Sequence, residues 1–215
     1  MQDESADAIA TAEPSNHDHT ARRKLRPLQF GAVALVTGLL ALLVWRVVAQ
    51  QRGPDLVAAI KAGKRPTAPA FTLPLLWPQS ETWPPLLQPK LREGKLTLAA
   101  LRGHPVVINF WASWCIPCKI EAPLLAATAR AHAGTIVFIG IDVQDLRSDG
   151  RAFLRKYKVN YPSLRDPSNS TYDAYGLTGV PETYYLDRDG HAVAHTPGQV
   201  TTQDLNAGIA AIASP

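Results

Sequence analysis

Both cysteines of the chain, Cys115 and Cys118, stand three positions apart where an apolar run gives way to a helical pattern. The run, residues 106–110, reads VVINF, which is typical of a strand buried on both faces of a sheet. Residues 116–132 then repeat apolar side chains at helical spacing. A buried strand that leads directly into a helix predicts a crossover connection, so the chain is expected to form a sheet covered by helices.

The rest of the C-terminal part continues this alternation and ends in a hairpin. Residues 135–143 (TIVFIGIDV) predict a second buried strand, and an Asp-Arg-Asp-Gly turn joins two later strands in antiparallel order. The other predicted elements are strands at 71–75, 182–186 and 192–195, helices at 98–101, 151–158 and 201–212, and a Pro-rich ordered loop or insertion at 77–89. The pattern predicts the α/β class, with a mixed central sheet and helices on both faces.

The position of the two thiols predicts redox chemistry. A helix N-terminus carries free N–H groups and a partial positive charge, which stabilise a thiolate at Cys115. Pro117 suits an early helical position, where a missing N–H costs nothing. Cys118 lies one turn along the same face, within reach of the first sulfur. The pair can therefore open and close as a disulfide, with Cys115 attacking and Cys118 resolving the mixed disulfide.

Three other uses of the same thiols fit the sequence less well. A structural zinc site needs four ligands, and the chain has no second cysteine pair. Attachment of haem requires a histidine directly after the second cysteine, where this chain has Lys119. A structural disulfide across so short a loop would stabilise little. Redox chemistry is favoured, and a metal-binding module that uses both thiols as ligands is the alternative from another class.

A second feature divides the chain: residues 28–45 contain no charged side chain and follow a basic cluster at residues 22–26. This length is at the short end of what spans a bilayer as a helix, and residues 46–49 extend it. The positive-inside rule places the N-terminus in the cytoplasm and everything after residue 50 across the membrane. A cleaved signal peptide is the competing interpretation, but its n-region and apolar run would both be unusually long.

The predicted organisation has four parts. They are a disordered cytoplasmic tail with a basic flank (1–27), a transmembrane anchor (28–49), a linker (50–67) and a folded domain (68–215). The formal net charge of +4 arises beside the anchor, because residues 66–215 hold 13 basic and 12 acidic side chains. A nucleic-acid-binding domain would carry a basic stripe, so no nucleic-acid partner is expected.

Four segments carry a family resemblance: NFWASWCIPCKIEAP around the cysteines, APAFTLP and LTLAALRGHPVVINFW before them, and YDAYGLTGVPETYYLDRDG after them. They resemble the TlpA/ResA/DsbE-like, membrane-anchored branch of the thioredoxin-like superfamily over residues 68–210. The resemblance implies a thioredoxin fold preceded by one N-terminal transmembrane helix. It also implies a single-pass protein of the inner membrane, with its catalytic domain in the bacterial periplasm.

The resemblance also assigns roles to residues. Cys115 would be the nucleophile and Cys118 the resolving thiol. Pro181, after Val180, matches the family's cis-proline beside the disulfide. The backbone at Val180 would then pair with an extended substrate segment, a form of strand addition. Trp114 would flank the sulfurs, with plain packing as the alternative interpretation.

Acidic residues near the motif are further candidates. Glu121 lies three residues past Cys118, where this branch uses a glutamate to assist proton transfer to the buried thiol, and a solvated helix carboxylate is the alternative. Asn109 stands where ordinary thioredoxin has a buried, titrating aspartate, which favours Glu121 or a water as the proton acceptor. Glu182, directly after Pro181, either tunes the site or is a surface strand residue. Surface or turn positions are expected for the histidines His104, His132, His191 and His195.

The predicted function is that of a membrane-anchored thiol–disulfide oxidoreductase, a reductase acting in cytochrome c maturation. The expected partners are a protein disulfide substrate, apocytochrome c, and a membrane electron donor of the thiol-reducing pathway. No cofactor and no metal are expected. The alternatives are a general periplasmic disulfide reductase, an oxidant, and a metal-binding or copper-assembly module that uses the same thiols.

Overall fold

The computed structural model describes residues 27–49 and 53–213, so the predicted tail up to residue 26 and residues 50–52 of the linker lie outside the described residues. The chain divides into two compact units, Met1–Trp45 and Arg46–Pro215. Helix α1 (Pro27–Ala49) forms over the predicted anchor. Among the described residues, no helix meets both the length and the hydropathy that crossing a membrane requires. The transmembrane anchor stays a prediction.

The second unit is built on one seven-stranded mixed sheet. Its strands are β1 (Thr72–Trp77), β2 (Lys95–Thr97), β3 (Val106–Trp111), β4 (Val137–Val143), β5 (Ser163–Asp166), β6 (Glu182–Leu186) and β7 (Ala192–Pro197). Their order across the sheet is β2-β1-β5-β4-β3-β6-β7. The central strands β3, β4 and β5 run parallel, and the remaining pairs are antiparallel. The predicted mixed sheet with a closing hairpin is confirmed.

Helices cover both faces of this sheet. They are α2 (Gly53–Lys61), α3 (Ile116–Ala131), α4 (Arg147–Lys156), α5 (Ser170–Tyr175) and α6 (Thr202–Ala213). Buried residues of α2 and α5 pack with Ile108 and Phe110 on one face of β3, whereas those of α3, α4 and α6 pack with Val107 and Trp111 on the other. Because side chains alternate along a strand, a strand covered on both faces must be apolar throughout, as VVINF is.

The Pro-rich segment at 77–89 covers part of the exposed edge of β4. Strand β5 pairs with β4 only from Gly140 onward, which leaves the upstream edge of β4 unpaired by β5. The indole of Trp83, 2% exposed, donates a hydrogen bond to the carbonyl oxygen of Phe138 at 2.8 Å. Gly134 N–H donates to the carbonyl oxygen of Thr82 at 2.9 Å. The segment is therefore an ordered loop, as predicted, and its Trp83 supplies β4 with a hydrogen bond where β5 does not pair.

The residues before β1 are attached to the same unit. Leu56 of α2 is buried in the core. Ala68 N–H donates to the carbonyl oxygen of Gly190, and Ala192 N–H donates to that of Pro66. Arg65 forms an ion pair of 2.9 Å with Asp187. The described part of the predicted linker thus packs against the folded domain and its closing hairpin.

Candidate active site

The two cysteines form a disulfide at the junction between β3 and α3, with 5.3 Å between their Cα atoms. Cys115 is the N-cap of α3, and its Sγ accepts a hydrogen bond of 3.1 Å from the N–H of Cys118. Pro117 lies in the first turn, as expected for a residue without an N–H. Both cysteines are buried. The predicted geometry of a thiol at a helix N-terminus, facing its partner one turn on, is confirmed.

The predicted cis-proline lies beside this disulfide. The peptide bond between Val180 and Pro181 is cis, and the carbonyl oxygen of Val180 lies 3.5 Å from Sγ of Cys115. Val180 itself is half-buried, and the two residues before it, Thr178 and Gly179, are exposed. The backbone next to the sulfur is therefore reachable from solvent, which is what pairing with an extended peptide would require.

A loop after β4 holds the residues that precede Cys115. The carboxylate of Asp145 accepts hydrogen bonds from the N–H and the hydroxyl of Ser113, at 2.6 and 2.9 Å. The indole of Trp114, 55% exposed, donates to the carbonyl oxygen of Gln144 at 3.0 Å. Sequence reasoning did not identify Asp145. The available signal was its place just after a parallel strand, at the carboxyl edge where α/β sheets gather their functional groups.

Glu121, on the same helix as the cysteines, is buried, and its alternative interpretation as a solvated carboxylate is wrong. Its Oε1 accepts a hydrogen bond of 2.8 Å from Nδ2 of Asn109, and its Oε2 accepts one of 2.9 Å from the N–H of Val200. Burial raises the pKa of Glu121 to about 7, against these two hydrogen bonds, which lower it. A carboxyl group with this pKa can both accept and release a proton at neutral pH.

Another buried carboxyl group, Asp142, lies on β4. Burial, followed by the nearby carboxylate of Asp145, raises the pKa of Asp142 to about 8, and the charge of Arg165 opposes this rise. Sequence reasoning did not identify Asp142, because it lies inside a run that reads as an ordinary buried strand.

Glu182 is also buried, so the surface interpretation of this residue is wrong. Its Oε1 accepts hydrogen bonds from the N–H groups of Thr178 and Gly179, and its Oε2 lies 2.7 Å from Nε2 of His195. Burial raises the pKa of Glu182, but the hydrogen bonds from His195, Thr178 and Gly179 outweigh it and hold this pKa below its usual value. The expectation of a surface position for His195 is wrong as well, since its side chain is 6% exposed.

One cluster among the described residues has ligand atoms close enough together to hold a metal ion: Asp187, Asp189 and His191, in the turn between β6 and β7. Neither cysteine belongs to it. Asp187 Oδ1 accepts hydrogen bonds from the N–H groups of Asp189 and His191, and its Oδ2 pairs with Arg65. The carboxylate is therefore engaged in shaping the turn.

Residues 66–195 match the AhpC/TSA family. The chain belongs to this thioredoxin-like family. It is 30% identical to the thiol:disulfide interchange protein HelX of Rhodobacter capsulatus, over 82% of this chain and 89% of HelX. It is 29% identical to the thiol-disulfide oxidoreductase ResA of Bacillus subtilis, over 50% of this chain and 60% of ResA. The resemblance inferred from the cysteine motif is thereby confirmed, and this family member is a thiol–disulfide oxidoreductase.

Solved structures of the family agree with this fold. A secreted disulfide oxidoreductase of Mycobacterium tuberculosis, described as homologous to DsbE of Escherichia coli, is 25% identical and superposes with a TM-score of 0.54. The match covers 66% of this chain and 95% of that one. It supports the thioredoxin-like α/β architecture of the second unit.

Proposed function

We propose that this oxidoreductase is a periplasmic reductase, anchored in the inner membrane by residues 28–49, that acts on disulfides of apocytochrome c during cytochrome c maturation. The observation that carries the proposal is the disulfide of Cys115 and Cys118 beside the backbone of Val180. The resemblance to the TlpA/ResA/DsbE-like branch supports the choice of substrate. The uncharged run with its basic flank supports the anchor.

The reaction begins with the reduced pair. The thiolate of Cys115 attacks one sulfur of the substrate disulfide, which forms a mixed disulfide and releases the other substrate sulfur as a thiolate. The thiolate of Cys118 then attacks Sγ of Cys115. This breaks the mixed disulfide, releases the second substrate sulfur and closes the disulfide seen in the structure. The substrate gains two electrons, and a membrane thiol donor returns two electrons to the pair.

Residues around the disulfide assist the proton transfer and align the substrate. Glu121, three residues past Cys118 on the same helix, accepts the proton that Cys118 loses before its attack. Asn109 holds the carboxylate of Glu121 in place through its amide N–H. Val180 offers its backbone to an extended substrate segment, which aligns the substrate disulfide with Cys115.

The substrate can be identified by trapping. A Cys118→Ala variant forms the mixed disulfide but lacks the resolving thiol, so it should remain linked to its substrate in cells. Capture of apocytochrome c, absent from a matched Cys115→Ala, Cys118→Ala control, is the expected outcome. Capture of other periplasmic proteins without apocytochrome c would contradict the proposed substrate and favour a general reductase.

A further inference from the structure

We propose that His195 is a positioning residue, which acts through Glu182 to shape the backbone that receives a peptide substrate. This inference rests on the proposed function, because it assumes that substrate pairs with the backbone at Val180. No role for His195 followed from the sequence. In the structure His195 and Glu182 form a buried pair next to the cis-proline, with 5–6% of either side chain exposed.

Glu182 ties down the turn that leads into Val180. Its Oε1 lies 2.9 Å from the N–H of Thr178, 3.3 Å from the hydroxyl of Thr178 and 3.3 Å from the N–H of Gly179, all of which donate to it. These two residues are exposed and carry no buried side chain that could hold the turn by packing. Leu177 and Pro181, on either side, are buried, so the carboxylate of Glu182 is the polar group that fixes the two exposed residues between these anchors.

His195 decides the orientation of that carboxylate. Its Nε2 donates to Oε2 of Glu182 at 2.7 Å, from the neighbouring strand β7. The imidazole is itself held against the ring of Tyr184, with 4.3 Å between the ring centres. The hydroxyl of Tyr184 donates to the carbonyl oxygen of Tyr175 at 2.7 Å. A row of buried contacts thus runs from the core to Glu182 and from there to the turn.

A cavity beside His195 and Glu182 gives the carboxylate of Glu182 space to move away from the turn. It has a volume of about 360 Å³, and Lys61, Thr178, Glu182 and His195 are among the residues that line it. Without the imidazole, Oε2 of Glu182 would lose its donor, and the carboxylate has both room to rotate and a cation, Lys61, to rotate toward. Such a rotation would withdraw Oε1 from the turn without disturbing the packed core.

Loss of this positioning should slow the reaction with peptide disulfides more than the reaction with small disulfides. The carbonyl oxygen of Val180 is 3.5 Å from Sγ of Cys115, so a shifted turn misaligns any chain that pairs there. A small disulfide that has no peptide backbone makes no such pairing. The ratio of the rate constants for a peptide disulfide and a small disulfide should therefore measure the contribution of His195.

The test uses the reduced full-length protein and two probes. One is a short peptide with a disulfide inside a Cys-x-x-Cys-His motif, and the other is hydroxyethyl disulfide. His195→Leu, which removes the donor, should lower the peptide-to-small-disulfide rate ratio by about tenfold, as expected for a buried carboxylate that loses a hydrogen bond. His195→Gln, which restores an N–H donor, should return the ratio to within about threefold of wild type. Lys61→Gln, in the same cavity, is the matched control and should keep the wild-type ratio.

The outcomes separate this inference from the proposed function. A wild-type protein that reacts with the peptide no faster than with the small disulfide would contradict the proposed function. An unchanged ratio in His195→Leu, or an equal loss in His195→Leu and His195→Gln, would overturn the positioning role even if the wild type prefers the peptide. The rate with hydroxyethyl disulfide also reports whether each variant retains a folded redox centre.

Discussion

At the scale of single residues, the site combines two buried glutamates in opposite electrostatic environments. Glu121 receives two hydrogen bonds, from Asn109 and Val200, and burial dominates, so its pKa rises. Glu182 receives more hydrogen bonds, one of them from an imidazole, and its pKa falls. Neutral pH therefore leaves Glu121 able to exchange a proton and keeps Glu182 as an anion that holds the backbone.

The raised pKa of Glu121 makes stability depend on pH. Because the pKa near 7 in the folded protein exceeds the ordinary value of 4.5, the folded state binds the proton more tightly than the unfolded state. Stability from this group is complete below pH 4.5 and is lost as the pH rises to about 7, for a total of about 3 kcal/mol.

We expect Glu121→Gln to remove this part of the pH dependence, since Gln does not titrate. Urea unfolding of the oxidised protein at pH 5 and pH 8 should show a smaller difference in the variant than in wild type. Asp142 titrates in both proteins, so the comparison between them isolates Glu121. Equal pH dependence in the two proteins would show that Glu121 is not buried as the structure has it.

At the scale of elements, two loops make hydrogen bonds to backbone groups beside the central strands. The loop after β4 holds Ser113 and Trp114 in front of the nucleophilic cysteine. The Pro-rich segment at 77–89 covers the edge of β4 with the indole of Trp83. In both places a polar side chain of a loop makes a hydrogen bond to a backbone group, at Phe138 and at Ser113.

Trp83→Ala should therefore destabilise the fold by about 3–5 kcal/mol, because it removes a buried ring and leaves the carbonyl of Phe138 without this donor. Trp114→Ala is the matched control: its ring is 55% exposed, so we expect a cost of less than about 1 kcal/mol. Urea unfolding followed by circular dichroism would measure both. Similar losses in the two variants would show that the segment does not contribute to the core.

At the scale of the whole molecule, the excess of basic side chains and the redox-active cysteines lie in different parts of the chain. Residues 66–215 are nearly balanced in charge, and the basic excess lies on either side of residues 28–45. The described side chains of α1 between residues 33 and 45 are exposed, and most of them are apolar. Exposed apolar surface of this extent is typical of an interaction site.

The proposed topology can be tested with reporters that are active only after export. A reporter fused after residue 65 should be active, because the positive-inside rule places this part of the chain across the membrane. The same reporter inserted after residue 26, with the uncharged run retained behind it, should be inactive. Activity in the second fusion and not the first would reverse the proposed orientation.

Local patterns in the sequence are sufficient to predict the redox pair and the helix and strands around it. The strand at 106–110, the helix after it and the placement of both thiols depend on periodicity and on the N-terminus of one helix, which are properties of neighbouring residues. Strands β2 and β5 and helix α5 were not predicted. They have three, four and six residues, and SLRD in β5 has no apolar run to mark it.

Sequence patterns are enough to predict the α/β class, the cysteine chemistry and the position of Glu121 on the cysteine-bearing helix. The burial of Glu121, the pairing of Glu182 with His195 and the covering of β4 by Trp83 become visible only in the folded chain. The hydrogen bonds that decide these points join residues 79, 13 and 55 positions apart. Burial and hydrogen bonding at such separations depend on which chain segments meet in space, and no local pattern contains that information.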